Sequence, residues 1–301
     1  MQLRNKEVRI ENINLCNLKC VICPHDKMTR MRAALPNVEF YDLVKQAKAL
    51  GADTISIFGF GEPLMDSGIV KKVRFCTEQG LNTFITTNAM MLDLEMTHAL
   101  IDAGLTHIRF SVHGIDKMSY QKAQKGASWD IAMKHIYNYT RFKGGSKISV
   151  TSIPLNGTGV DEIEKYWNAW DIDWLEIWKP HGWAGAKGFR RPTEERVICN
   201  RPESGPLQIQ ADGKVIPCCF ITNAEVVLGD IYRDSLEDIL KSKKYEEFRN
   251  RHKRQDLTGL PCKECDQTFK YNQGNSPLLY SSRDKQKHLN CTSSTKFKLE
   301  G

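Results

Sequence analysis

The chain has 301 residues, of which 41% are hydrophobic and 26% charged, and its net charge is +7. These fractions are ordinary for a globular protein and exclude collagen-like, low-complexity and wholly disordered chains. No run of about 18 apolar residues and no apolar signal segment occurs, so we expect a cytoplasmic protein without a membrane partner. In that reducing compartment, ten cysteines indicate metal binding rather than a disulfide framework.

Strand and helix patterns alternate through the first 181 residues. The predicted strands have β-branched or alternating apolar residues and lie at 8–15, 54–58, 83–86, 107–112, 147–153 and 174–178. Helical spacing of apolar residues predicts helices between them, such as 39–50, which is followed by Gly51 as a stop. Repeated strand–helix units predict a parallel α/β sheet, open or curled towards a barrel, with its chemistry at the carboxyl ends of the strands.

The alternation stops after Lys179, and a smaller α+β domain is predicted over 182–280. Its features are a hairpin that turns at Asp212-Gly213 and a helix over about 235–250. The tail 281–301 has few large apolar residues, so we expect it to be mobile. The predicted domains are therefore 1–181 and 182–280.

Three cysteines follow the first predicted strand directly. Cys16, Cys20 and Cys23 form a C-x3-C-x2-C loop, which can bind three corners of a cubic iron–sulfur cluster and leaves one iron without a protein ligand. The alternatives are a zinc site with His25 as the fourth ligand, or reduced core thiols.

This loop resembles the signature of the radical S-adenosylmethionine (SAM) superfamily, and the resemblance extends over 1–180. The segments that carry it all lie at predicted strand ends and include Gly59-Phe60-Gly61-Glu62-Pro63 and Thr87-Asn88-Ala89. The resemblance implies a partial (β/α)6 barrel, a 4Fe-4S cluster and bound SAM. It implies SAM-binding roles for Gly59, Gly61, Glu62, Asn88, Ser111 and Asn156. Two positions depart from the family pattern: Ile22 replaces an aromatic residue, and Lys125 stands where relatives often have arginine.

Four further cysteines lie in the second predicted domain. The pattern of Cys199, Cys218, Cys262 and Cys265 resembles the shortened SPASM module called a twitch domain, which implies one auxiliary 4Fe-4S cluster. Four thiolates also suit a zinc site. Cys76, on the apolar face of a predicted helix, is interpreted as a core residue.

The resemblance implies reductive cleavage of SAM to a 5′-deoxyadenosyl radical that abstracts hydrogen from the substrate. The layout is similar to radical SAM dehydrogenases of aminocyclitols, which predicts oxidation of a small polar, carbohydrate-like substrate to a ketone. Lys179 and His181, after the sixth strand, are candidate bases or hydroxyl ligands. A flavodoxin-type reductase is the expected electron donor.

Other functions remain open on the sequence. A sugar epimerase would return a hydrogen atom from a thiol, for which Cys219 is the first candidate. A maturase that modifies a peptide, and a structural zinc or iron–sulfur protein without enzymatic activity, are further alternatives. Nucleic acid is not an expected partner, because the chain has no basic run with interleaved aromatic residues.

Overall fold

A computed structural model describes residues 2–155, 157–187, 197–266, 278–283 and 286–287. Its strands, in chain order, are β1 (Glu7–Ile10), β2 (Lys19–Cys20), β3 (Thr54–Ile57), β4 (Asn82–Thr87), β5 (His107–Ser111), β6 (Gln124–Lys125), β7 (Lys147–Ser152), β8 (Trp174–Trp178), β9 (Leu207–Ile209), β10 (Lys214–Ile216), β11 (Gly229–Asp230), β12 (Leu278–Ser281) and β13 (Gln286–Lys287). Its α-helices are α1 (Asn37–Ala49), α2 (Ile69–Glu78), α3 (Leu94–Asp102), α4 (Lys117–Ala123), α5 (Trp129–Phe142), α6 (Val160–Trp167), α7 (Arg201–Ser204), α8 (Leu236–Lys241) and α9 (Lys243–Lys253). None of the described helices is long and apolar enough to span a bilayer.

The chain forms two compact units. The first contains the described residues of 1–16, 24–85 and 182–270, and the second those of 17–23, 86–181 and 271–301. In the first unit, β1 lies parallel to β3 on one side and to β9 on the other, and β9 continues into the antiparallel strands β10 and β11. The hairpin predicted around Asp212-Gly213 thus extends a parallel sheet.

In the second unit, β5, β7 and β8 are parallel neighbours, and β12 pairs antiparallel with β8. One face of this sheet consists of buried apolar residues such as Ile108, Phe110 and Val150. The opposite face is polar: Arg109 forms an ion pair with Glu176 over 3.2 Å, and His107 lies 2.7 Å from the hydroxyl of Ser149. This alternation follows from the two-residue period of a strand.

The α/β class and the parallel order agree with the sequence prediction, while several element ends differ. The first strand ends at Ile10 rather than at residue 15. The predicted helix over 235–250 is two helices, because Ser242 caps α9 by accepting a hydrogen bond from the backbone N–H of Tyr245 at 3.2 Å. Most of the tail predicted to be mobile lies outside the described residues.

Candidate functional site

In the second unit, the cysteine loop is held by a short pair of strands. β2 and β6 pair antiparallel, with Lys19 opposite Lys125 and Cys20 opposite Gln124. The N–H of Val21 also donates to the carbonyl of Ala123 at 3.0 Å. Backbone pairing therefore places Lys125 beside the strand that carries Cys20, although more than a hundred residues separate them in the sequence.

Asn88 contacts the same loop from another strand end. Its Nδ2 donates to Oδ1 of Asn17 at 2.8 Å, next to the β2 strand. Its own Oδ1 accepts from the N–H of Met90 at 2.9 Å, across Ala89 with a φ of +65°. The turn after β4 thus holds the Asn88 side chain against the cysteine loop.

Ser111, at the end of β5, is linked to this arrangement through Gln124. The amide of Gln124 donates to the carbonyl of Ser111 at 3.1 Å and accepts from the N–H of His113 at 2.8 Å. Gln124 is buried, so both bonds are shielded from water. Cys20, Asn88, Ser111 and Lys125 therefore belong to one network in the second unit.

The first unit contains Cys16 and the Gly59–Pro63 loop. The N–H of Glu62 donates to the carbonyl of Leu15 at 2.8 Å. A Cβ at Gly61 would overlap the backbone carbonyls of Ile13 and Leu15, and one at Gly59 would overlap the Glu11 side chain. The glycines thus allow this loop to pack against the segment that precedes Cys16.

The Glu62 carboxylate has a local role in this loop. It is buried, and its Oε1 accepts from the N–H of Leu64 at 3.1 Å, at the start of the short 3-10 helix Pro63–Met65. This helix cap fixes the direction of the side chain.

His25, the alternative fourth zinc ligand, is engaged elsewhere. Its Nε2 lies 2.9 Å from the carbonyl oxygen of Asn14 and 2.7 Å from Nη1 of Arg32. Burial lowers the pKa of His25, and the Arg32 guanidinium lowers it further, against the opposing contact with Asn14. The nitrogen that faces Asn14 is therefore occupied by neighbours within the first unit.

A buried ion pair that was not predicted from the sequence joins four segments of the first unit. Arg30 binds both carboxylate oxygens of Glu11, at 2.9 and 3.0 Å. Glu11 also accepts from the N–H groups of Phe60 and Ala211, each at 2.9 Å. The Nε of Arg30 donates to the carbonyl of Thr222 at 2.8 Å. These bonds position the glycine-rich loop and the β9–β10 hairpin relative to β1.

A second site in the first unit unites the remaining predicted ligands. All four of Cys199, Cys218, Cys262 and Cys265 line one cavity, together with Ala184, Arg201, Phe220 and His252. Burial raises the pKa of the Cys262 thiol to about 11. Four thiols from three separate segments thus line one pocket.

The loop after β8 forms part of this cavity wall. The N–H of Gly182 donates to Oδ2 of the buried Asp266 at 2.9 Å. The Trp183 ring packs on Phe60 and Phe220, with centroids 5.7 and 5.3 Å apart. These contacts hold Ala184 at the wall of the cavity.

Cys219 does not line this cavity, although its neighbour Cys218 does. The sulfur of Cys219 accepts from Nη1 of Arg201 at 3.5 Å. Its contact with Cys218, followed by burial, raises the pKa of the Cys218 thiol well above its ordinary value. The structure therefore places Cys219 outside the set of four cysteines that line the cavity.

Lys179 and His181 follow β8 directly and are both half-buried. The ring of His181 lies 6.0 Å from that of Trp178. Asn156, the remaining candidate, lies outside the described residues.

The donor sets fit iron–sulfur clusters. The nine described cysteines are all free thiols, and Cys16, Cys20 and Cys23 are half-exposed rather than packed in a core. Among the residues that the structure describes, no three His, Cys, Asp or Glu side chains group closely enough for a single metal ion. In a cubane each thiolate binds a different iron, so its ligands stand farther apart than those around one zinc ion.

Comparison with known families gives two matches. A family model described as the radical SAM superfamily matches residues 10–166. A model described as an iron–sulfur cluster-binding domain, SPASM, matches residues 199–266, a span that contains all four cavity cysteines.

One relative and two solved structures show the range of similar proteins. The GTP 3′,8-cyclase of Alkaliphilus oremlandii is 29% identical over 164 residues, which are 53% of this chain and 50% of that protein. The chain thus spans about half the length of that relative. The crystal structure of BtrN in complex with AdoMet and 2-DOIA is 19% identical, with a TM-score of 0.66 over 93% of this chain and 100% of that one. Streptococcus suis SuiB bound to precursor peptide SuiA is 18% identical, with a TM-score of 0.69 over 81% of this chain and 66% of that one.

Proposed function

Because the chain belongs to the radical SAM superfamily and carries a SPASM-type iron–sulfur domain, we propose that it oxidises an alcohol group of a small polar, carbohydrate-like substrate to a ketone. The two domains imply a 4Fe-4S cluster with SAM and an auxiliary iron–sulfur cluster. When bound, these groups supply a 5′-deoxyadenosyl radical and an acceptor for one electron. The observation that carries the proposal is the cavity lined by four cysteines.

We assign the ligand roles as the family resemblance implies them. Cys16, Cys20 and Cys23 would hold the first cluster, and Cys199, Cys218, Cys262 and Cys265 the auxiliary one. The family resemblance would give the SAM contacts to Gly59, Gly61, Glu62, Asn88, Ser111, Lys125 and Asn156. The bonds of Asn88 and Lys125 to the cysteine loop support this assignment.

Oxidation of an alcohol removes a hydrogen atom from carbon, a proton from oxygen and one further electron. We propose Lys179 or His181 as the base for the hydroxyl proton, because both follow β8 at the carboxyl end of the parallel sheet. The electron would leave towards the four-cysteine cavity. A flavodoxin-type reductase in the cytoplasm would supply the electron for SAM cleavage.

Anaerobic reconstitution tests the proposal. We expect about eight irons in the wild type and about four in each of two variants, C16A/C20A/C23A and C199A/C218A/C262A/C265A. The first variant should form no 5′-deoxyadenosine with dithionite and SAM. The second should still cleave SAM but should form no ketone. A wild type with about four irons and bound zinc would contradict the auxiliary-cluster assignment.

The substrates tested should include aminocyclitols and sugars, with GTP and a short peptide as alternative substrates. A relative of this chain is named as a GTP cyclase, and a protein of similar fold is bound to a precursor peptide. Consumption of GTP or modification of the peptide, without oxidation of any alcohol, would replace the proposed function by one of those activities.

An epimerase is the second candidate, and the position of Cys219 favours it. Its sulfur is outside the set that lines the cavity and contacts Arg201 instead, so it is not required as a ligand. An epimerase would incorporate solvent deuterium at the reacting carbon and would lose turnover in C219A. A dehydrogenase would form ketone at an unchanged rate in C219A.

We also propose the division of the chain into domains over 1–181 and 182–280. Limited proteolysis of the reconstituted protein should then cut first near residue 182, whereas a first cut inside either range would contradict that boundary.

A further inference from the structure

Arg201 is a cationic residue at the wall of the four-cysteine cavity. It begins α7, two residues after Cys199, and lines the cavity with all four cysteines. Its Nη1 donates to the Cys219 sulfur at 3.5 Å, and its guanidinium carbon stands 5.0 Å from the centroid of the Phe220 ring. The side chain is therefore held in place by a thiol and an aromatic face.

No carboxylate is paired with Arg201 among the residues that the structure describes. Three other buried or half-buried arginines have carboxylate partners: Arg9 pairs with Glu7, Arg30 with Glu11 and Arg109 with Glu176. A cation that is partly withdrawn from water is stabilised by a nearby counter-charge. The counter-charge of Arg201 is therefore expected to come from a group other than a protein carboxylate.

The cysteines around the cavity supply that counter-charge. Cys199 and Cys218 line the cavity together with Arg201, and cysteines that bind a cluster do so as thiolates. The guanidinium keeps its charge at every accessible pH. A cluster held by four thiolates carries net negative charge, which becomes more negative on reduction.

We propose that Arg201 is the counter-cation of the auxiliary cluster and raises its reduction potential, so that the cluster accepts an electron from the substrate radical more readily. This inference rests on the proposed function. Its physical basis is that a positive charge at the cavity wall stabilises the reduced, more negative cluster more than the oxidised one. Arg201 thus acts through the cluster and not on the substrate.

The test is a redox titration of the auxiliary cluster followed by electron paramagnetic resonance. The background is full-length C16A/C20A/C23A, in which only the auxiliary cluster remains, and the holoenzyme is titrated in parallel. R201Q should lower the reduction equilibrium constant at least tenfold, equivalent to about 59 mV for a one-electron couple. R201K, which keeps the charge, should stay within tenfold of the parent.

R233Q is the matched control. Arg233 belongs to the same unit, is 80% exposed and does not line the cavity. The substitution removes the same formal charge but does so away from the cavity. The reduction potential of the cluster should therefore remain that of the parent. A shift in R233Q as large as that in R201Q would assign the effect to net charge and overturn the proposal.

Iron content separates the remaining outcomes. An R201Q protein with full iron and an unchanged potential overturns the role of Arg201 while the proposed function stands. A background protein without iron overturns both. If R201Q and R201M fail to load iron whereas R201K loads fully, the counter-charge is needed for assembly and the proposal is supported; a failure of R201K as well contradicts it.

Discussion

At the scale of single residues, buried charge and hydrogen bonding account for positions that the sequence pattern left without a role. Glu11 and Arg30 are both buried and satisfy each other through two hydrogen bonds. Gln124 is buried between Ser111 and His113. Such groups are retained only where their partners are provided by the fold.

Substitution of one member of the Glu11–Arg30 pair should be strongly destabilising. We expect E11Q to lower the free energy of unfolding by about 3 kcal/mol, because the buried Arg30 loses the carboxylate that binds it twice and is left with the more distant Asp212, whose Oδ1 lies 3.9 Å away. Urea unfolding of the reconstituted protein under anaerobic conditions measures this. The control D130N removes an exposed ion pair with Lys117 and should cost less than about 1 kcal/mol. Equal losses in the two variants would contradict the argument.

His113 should make stability sensitive to acid. Burial lowers the pKa of His113 to about 4, and its Nδ1 has no hydrogen-bond partner in the described structure. The unfolded chain therefore takes up the proton first, so stability is retained above pH 6.5 and lost as the pH falls towards 4. Between pH 7.5 and 5.5 this histidine should account for a loss of about 1 kcal/mol.

The variant H113Q should remove that part of the acid sensitivity. The measurement is the difference in unfolding free energy between pH 7.5 and 5.5 for wild type and variant. A variant with the same pH slope as the wild type would show that His113 does not titrate in this window.

At the scale of elements, short backbone pairings determine where the candidate ligands lie. The two-residue strands β2 and β6 set Cys20 beside Gln124 and Lys125, and a turn follows at Gly126 with a φ of +94°. That backbone conformation is in the left-handed region, which glycine adopts without strain. The turn therefore directly follows the strand pair that carries Cys20 and Lys125, two of the proposed cofactor-binding residues.

G126A should weaken SAM binding more than it weakens the fold. The matched control is G80A, because Gly80 has a φ of +72° at the end of α2 and no atom within 4 Å of an added Cβ. Both changes should cost about 1–2 kcal/mol of stability through backbone strain. Only G126A should raise the dissociation constant of SAM, by about tenfold or more, in equilibrium dialysis. Similar SAM affinities for the two variants would separate this turn from the site.

At the scale of the whole molecule, the auxiliary-site cysteines bring together distant segments of the first unit. Cys199, Cys218 and the pair Cys262 and Cys265 lie on different loops around one cavity. Ligand binding at such a set is coupled to folding, because the segments are ordered only when they are held together. Loss of the auxiliary cluster should therefore destabilise the first unit more than it destabilises the helices α3 and α5 of the second unit.

Hydrogen exchange of the reconstituted protein can measure this dependence. In C262A/C265A we expect faster exchange over 199–222 and 243–266, and unchanged exchange over 94–142, because α3 and α5 belong to the second unit. Equal acceleration in both regions would indicate a global loss of structure.

Local patterns were enough to predict much of this protein. The alternation of strands and helices predicted the α/β sheet, and the two cysteine patterns predicted the family and its iron–sulfur cofactors. These features depend on residues that are close in sequence, where the strand and helix periods and the ligand spacing act directly.

The sequence by itself thus determined the fold class, the cofactor chemistry and the chain segments that bear the cysteines. Only the tertiary structure decided which groups meet: Glu11 with Arg30 and Ala211, Asn88 with Asn17, and Arg201 with the four-cysteine cavity. The physical reason is that such contacts join residues far apart in the chain. Their partners are set by strand pairing and by the burial of polar groups, and neither leaves a periodic signal in the sequence.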